Sequence, residues 1–213
     1  TLINMSIKKI VKVWNDKDLI HENINFLRRP TKNVFLPISG STEQIIEDLV
    51  DTYQSIPCAG VAANQIGYDK SIFVGLKYLD ENIDEEELEE KESQADQNIS
   101  QENEYADNYE VYINPQIDRS NNKSTQEEIE GCLSLPNISL KIKRFDEIKV
   151  RYYNKDGTSI RKTLNGFMSK LFQHELDHLN GKLMIQHNLI EGYIDEKSDF
   201  DPNLFHELKN KLS

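Results

Sequence analysis

His174-Glu175-Leu176-Asp177-His178 sets two histidines four positions apart with a glutamate directly after the first. On a helix that spacing puts both imidazoles on one face, so they can bind one metal ion while Glu175 reaches a water on it. A divalent ion lowers that water's pKa toward neutrality, and a carboxylate so placed can take and return its proton. That is hydrolytic machinery. The bland alternative is a pair of ordinary histidines in an amphipathic helix. Against it stands the apolar character of the surrounding helix, in which an unpaired Glu175 would be costly to bury.

Two imidazoles leave the ligand set incomplete, and three sources for a third ligand compete. A thermolysin-like site takes a glutamate about twenty residues beyond the second histidine. Glu196 lies 18 beyond His178. A metzincin needs histidine where this chain has Met184. Cys132, within Glu130-Gly131-Cys132-Leu133-Ser134, is the third candidate, because a thiolate suits zinc or ferrous iron and the flanking Gly131 permits close approach. A lone cysteine also reads as a small buried apolar residue.

The elements that must position these residues follow from periodicity. Phe167, Met168, Leu171, Phe172, Leu176 and Leu179 cover much of a helix, and Gly181 offers a left-handed stop, so the motif sits on a largely buried helix. Ser41 to Gln54 forms an amphipathic helix, with Ser41 and Gln44 in capping-box spacing. Ser71 to Leu76 is a strand, preceded by a turn and a short strand, and YEVYINPQI is its antiparallel partner, ending at Pro115. Asp156-Gly157 is a hairpin turn inside SLKIKRFDEIKVRYYNKDGTSIRKTL, predicting two antiparallel strands. Asp201-Pro202 opens a final helix with Leu204, Phe205, Leu208 and Leu212 on one stripe. Strands and helices do not alternate as βαβ units would require. The class is α+β, with antiparallel or mixed sheets around a central buried helix and a C-terminal helix, in a single domain over residues 1–213.

With 213 residues, 37% of them hydrophobic, the chain can build a core, and no run of eighteen apolar residues offers a membrane span. Its 25 basic and 37 acidic residues give a net charge of −12, the wrong sign for neutralising phosphates, so no direct nucleic-acid partner is expected. Cys58 and Cys132 are too few for a disulfide scaffold, which fits a reducing compartment. The charge is concentrated: Asp80 to Glu110 holds 14 acidic residues and one basic, Lys91, so the remainder is close to neutral. With almost no large apolar residues, the stretch from Asp80 to Asn108 is expected to be a disordered acidic insertion. A docking segment for a basic partner, such as a ribosomal surface, is the functional alternative.

GVAANQIG (Gly60 to Gly67), EGCLSLP (Glu130 to Pro136) and QHELDHLNG (Gln173 to Gly181), in that order, resemble the three signature segments of peptide deformylases. These enzymes hydrolyse the N-formyl group from the initiator methionine of nascent peptides and release formate. The 42-position interval from Cys132 to His174 is similar to theirs, and the resemblance runs from about Ser6 to Ile185. It implies one metal ion held by Cys132, His174 and His178, most often Fe²⁺, with Zn²⁺, Ni²⁺ or Co²⁺ able to substitute. It implies Glu175 as general base and then acid, with the Gln65 side chain and the Leu133 N–H holding the oxyanion. Gly60 and Gly131 would contact the substrate, and Phe167, Leu171 and the His174 ring would line the pocket for the methionine side chain. Two departures stand out: Cys58 where the family has glycine, and Ser139 where many members have a peptide-anchoring arginine. A closed Cys58, Cys132, His174, His178 zinc module without catalysis would employ Cys58 but leave Glu175 and Gln65 idle. A zinc metallopeptidase differs in its third ligand. Formylated peptides arise in bacteria and in mitochondria or plastids. The start at Thr1 and the polar insertion point to an organelle with the presequence removed, a bacterial cytoplasm being the alternative.

Overall fold

A computed structural model of the chain describes residues 7–79, 102–195 and 199–213. The strands are β1 (Gly60–Ala62), β2 (Ile72–Gly75), β3 (Glu110–Ser120), β4 (Thr125–Glu130), β5 (Ile138–Phe145), β6 (Glu147–Tyr153), β7 (Ser159–Asn165) and β8 (Leu189–Ile194). The helices are α1 (His21–Leu27), α2 (Gly40–Ser55), α3 (Gly166–Leu179) and α4 (Asn203–Leu212). Among the described residues two antiparallel sheets form, one ordered β1-β2-β3-β6-β7 and the other β4-β5-β8. Helix α3, which carries the histidines, packs against β1, β2, β6 and β7 of the large sheet and β5 of the small one. The expected α+β class, with its buried central helix and C-terminal helix, is what the chain forms.

Packing explains why these segments settle where they do. The large sheet meets α3 through aromatic rings: Phe73 stacks on Tyr112 at 4.3 Å, and Phe172 of α3 meets Phe73 edge-on at 5.5 Å. In β5 the alternation Ile138, Leu140, Ile142 faces inward, where α4 adds Leu204, Phe205 and Leu208 to the same cluster. Arg144 continues that inward register, so a charged side chain is carried into the core by strand geometry alone.

Four expectations are corrected. Helix α2 starts at Gly40, not Ser41: Ser39 takes the extended N-cap conformation and its carbonyl accepts from Thr42 and Glu43. Ser41 and Gln44 therefore lie inside the helix and form no capping box, and the Gln44 amide donates to Asp48 instead. Strand β3 does not end at Pro115 but continues to Ser120, because a register shift between Ile113 and Gln116 absorbs the missing N–H. Asn114 turns there with φ +49°, and its amide bridges the backbone of Val34. The segment expected to give two strands gives three: β6 and β7 form the hairpin over Gly157, while β5 belongs to the other sheet. Of the proposed acidic insertion, Asp80 to Gln101 lie outside the described residues, whereas Glu102 to Asn108 are ordered. Buried Asn103 donates to the carbonyls of Tyr53 (2.9 Å) and Cys58 (3.1 Å), and Tyr105 packs against the cluster of Ala59, Phe167 and Leu171.

Candidate metal centre and active site

One turn apart on α3, His174 and His178 bring their Nε2 atoms to 3.2 Å, and Cys132 Sγ lies 3.3 Å from His178 Nε2. All three residues are buried, and one donor atom from each lies within 4.8 Å of the others. Two imidazoles and a thiolate suit zinc or ferrous iron, and a set of three protein donors is that of a catalytic rather than a closed structural ion. Cys58 is not in the group; it is buried among Tyr53, Val61 and Leu133, so the Cys₂His₂ module does not form. Met184 belongs to the core of the small sheet, and Glu196 lies outside the described residues.

The ligands are oriented from behind. His174 Nδ1 is 2.8 Å from Glu130 Oε2; a carboxylate there accepts, so Nδ1 carries the proton and Nε2 offers its lone pair to the centre. Glu130 in turn receives a bidentate fork from Arg144, Nε at 2.7 Å and Nη2 at 2.8 Å. Arg144 also reaches Asp177, whose other partner is His187 Nε2 at 2.7 Å. Burial alone would raise the Glu130 carboxyl, but the Arg144 guanidinium and then His174 hold it well below the usual carboxylate range. Burial would likewise raise Asp177, which His187 and Arg144 bring down to about 2. His178 is pushed down to about 3 chiefly by burial, so its ring is neutral, the form in which imidazole binds a metal.

The remaining groups converge on the same point. Gln65 Oε1 accepts from the Ala62 N–H at 2.9 Å, which fixes the amide so that Nε2 faces Ser134 Oγ at 3.2 Å and Cys132 Sγ at 3.8 Å. Glu175 is 1% exposed, and its Oε1 occupies space that a Cβ on Gly60 would enter at 2.8 Å. Gly60 opens β1 and Glu130 closes β4, each an edge strand of its sheet. Where the two edges meet, Ala59, Gly131, Phe167, Leu171, His174 and Glu175 line a small cavity.

A sequence model of the polypeptide deformylase family matches residues 9–191. The chain belongs to this family. Among curated deformylases, that of Aquifex aeolicus is 33% identical over 165 residues, covering 78% of this chain and 83% of that protein. That of Elusimicrobium minutum is 31% identical over 209 residues, covering 98% of this chain and 96% of that protein. Among solved structures, the deformylase of Ehrlichia chaffeensis superposes with a TM-score of 0.65 at 23% identity, covering 96% of both chains. The deformylase reaction is metal-dependent hydrolysis of the N-formyl group of nascent peptides, and the chain is an enzyme of that kind.

Both family departures have a local setting in this deformylase. Cys58 keeps ordinary φ, so no glycine is required there, and its carbonyl is the acceptor for Asn103. Ser139 lies in β5 opposite Tyr193 of β8, on the face away from Leu140. Sequence reasoning missed Arg144, Asp177 and His187 as supports and Lys170 as a lining residue of the cavity. The available signal for Arg144 was its place in the alternating inward register of β5. For Lys170 it was its position one turn before His174.

Proposed function

We propose that Cys132, His174 and His178 hold one divalent ion and that Glu175, Gln65 and the Leu133 N–H carry out deformylation of formyl-methionyl peptides beside it. When bound, the ion would acidify the attacking water and polarise the formyl oxygen. Ferrous iron is the proposed resident metal, with zinc, nickel or cobalt able to replace it; the mixed thiolate and imidazole donor set supports either iron or zinc.

Glu175 takes the proton of the attacking water and passes it to the departing amine, so the new amino terminus leaves neutral. Its place in the cavity wall beside His174 puts the carboxylate within the same small space as the reacting groups. Gln65 Nε2 and the Leu133 N–H would donate to the oxyanion that grows on the formyl carbon, with Gln65 held in orientation before substrate arrives. The peptide backbone, extended, would add between the edges of β1 and β4 and contact Gly60 and Gly131. Its first side chain would then enter the cavity of Phe167, Leu171 and the His174 ring.

One observation carries this: the three donor atoms converge within 4.8 Å directly beside the buried Glu175 and the fixed amide of Gln65. The test is formate release from formyl-Met-Ala-Ser by protein loaded anaerobically with Fe²⁺, alongside metal content. Turnover with one ion per chain, both lost in Cys132→Ala, is the expected result. Metal content unchanged in Cys132→Ala would remove the ligand assignment.

A further inference from the structure

The cavity that would receive the first side chain of the substrate is not uniformly apolar. Lys170 lines it together with Phe167, Leu171, His174 and Glu175, and is only 4% exposed. Its stem does not carry the charge out to solvent, as surface lysines do. The ammonium instead donates to the Ile129 carbonyl of edge strand β4 at 3.2 Å and lies 4.7 Å from the centre of the Phe167 ring. It sits one helical turn before His174 on α3, so a group entering toward the centre passes alongside it.

The cavity is also small, about 10 Å³, room for about one water. A side chain of methionine length enters only if part of the lining gives way. Ala59 and Gly131 have nothing to move, His174 is held by Glu130, and Phe167 and Leu171 are packed in one apolar cluster. Lys170, with four rotatable bonds, is the adjustable wall. An apolar side chain placed against it adds nothing to the ammonium, whereas a side chain bearing an oxygen acceptor adds a charge-assisted hydrogen bond beside the one to the Ile129 carbonyl.

We propose that Lys170 is a specificity-determining residue that extends the substrate range to formyl peptides whose first side chain carries an acceptor oxygen at methionine length, methionine sulfoxide being the matched case. This rests on the deformylase reading of the same site. Among the described residues, Phe167, Leu171 and Ala59 supply the apolar bulk of the pocket, and Lys170 supplies a lysine ammonium as donor.

The test compares kcat/KM on formyl-Met-Ala-Ser and on its sulfoxide, which differ by a single oxygen, in the metal-loaded wild type and in Lys170→Met. The sulfoxide-to-thioether ratio in the wild type is expected above about 0.1, since an apolar pocket leaving the oxygen unpaired would cost roughly 10- to 100-fold. In Lys170→Met the ratio is expected to fall on the order of 10- to 100-fold, the effect of losing one hydrogen bond from a charged donor. A general loosening of the pocket would shift both substrates together and leave the ratio unchanged, which overturns the proposal. If Lys170→Met fails to fold or bind metal, the wild-type ratio decides alone, a value below about 0.1 overturning it. Absence of turnover on the thioether peptide by metal-loaded wild type would instead overturn the deformylase assignment itself.

Discussion

Gly60 and Glu175 occupy adjoining space so tightly that a larger residue must push its neighbours aside: an added Cβ would stand 2.8 Å from Glu175 Oε1 and 3.0 Å from Leu171 Cδ1. The atoms in the way are ends of side chains, so Gly60→Ala is expected to fold yet displace the carboxylate. A misplacement of about 1 Å costs on the order of 10²-fold in kcat. Comparing thermal melting with formate release checks this; normal turnover would mean that Glu175 is not where the chemistry needs it. Glu175→Gln keeps size and removes the base, so metal content should persist while turnover falls about 10²–10⁴-fold. Cysteine chemistry separates in the same way. Cys132→Ala should lose the ion and Cys58→Ala should keep it, because only Cys132 converges with the histidines. Elemental analysis of the two variants reads this directly, and loss of metal in Cys58→Ala would revive a four-ligand site.

At the scale of elements, β5 and α3 share one problem: each brings charge into the core, and each was only half visible in the sequence. Arg144 is the fourth inward residue of the Ile138, Leu140, Ile142 alternation, and its fork on Glu130 makes that burial tolerable. Arg144→Leu leaves Glu130 buried without its cation and should cost about 3–5 kcal/mol in a denaturant titration of the metal-free protein. Replacing both, Glu130→Leu with Arg144→Leu, should recover most of that stability while weakening metal binding about 10- to 100-fold, since His174 then loses the partner that sets its tautomer. A double variant that binds metal as tightly as wild type would show the support to be dispensable. The two histidines were legible because histidines four apart report a helix face locally, whereas Cys132 alone read as a small buried residue and joined them only through the resemblance of EGCLSLP to a family segment. Arg144 and Lys170 were not, since a charged residue in an alternating strand or helix reads as solvent-facing until the second layer covering it is known. Strand β8 escaped notice because it is an edge strand with Ile190 and Tyr193 exposed, which blurs its alternation. Helix α1 spans only seven residues, too few for a helical period to emerge.

For the whole molecule, the far end of the acidic stretch, from Glu102 to Asn108, is built into the fold. Asn103 and Tyr105 tie its far end to Tyr53, Cys58 and the wall of the substrate cavity, while Asn108 bonds back to the Tyr78 carbonyl at 2.9 Å and so holds the two flanks of the β2–β3 connection together. Residues Asp80 to Gln101 carry ten acidic side chains against Lys91 and only Ile83, Leu88 and Ile99 as large apolar ones. Replacing Asp80 to Gln101 with a short Gly-Ser linker should therefore leave melting temperature, metal content and turnover on an uncharged formyl-Met peptide unchanged, because closure entropy varies only logarithmically with loop length. Net charge rises from −12 to −3, and solubility near neutral pH should fall accordingly. Extending the deletion to Asn108 removes both Asn103 hydrogen bonds, worth about 1–3 kcal/mol together, and strips Tyr105 from the Phe167 and Leu171 wall. That variant should melt lower and show a raised KM. Equal behaviour of the two deletions would mean that the ordered turn does nothing for the site. A shorter-deletion enzyme that processes free peptides normally but loses rate on ribosome-bound nascent chains, with the wild type's advantage disappearing at high salt, would assign the acidic segment to docking on a basic surface.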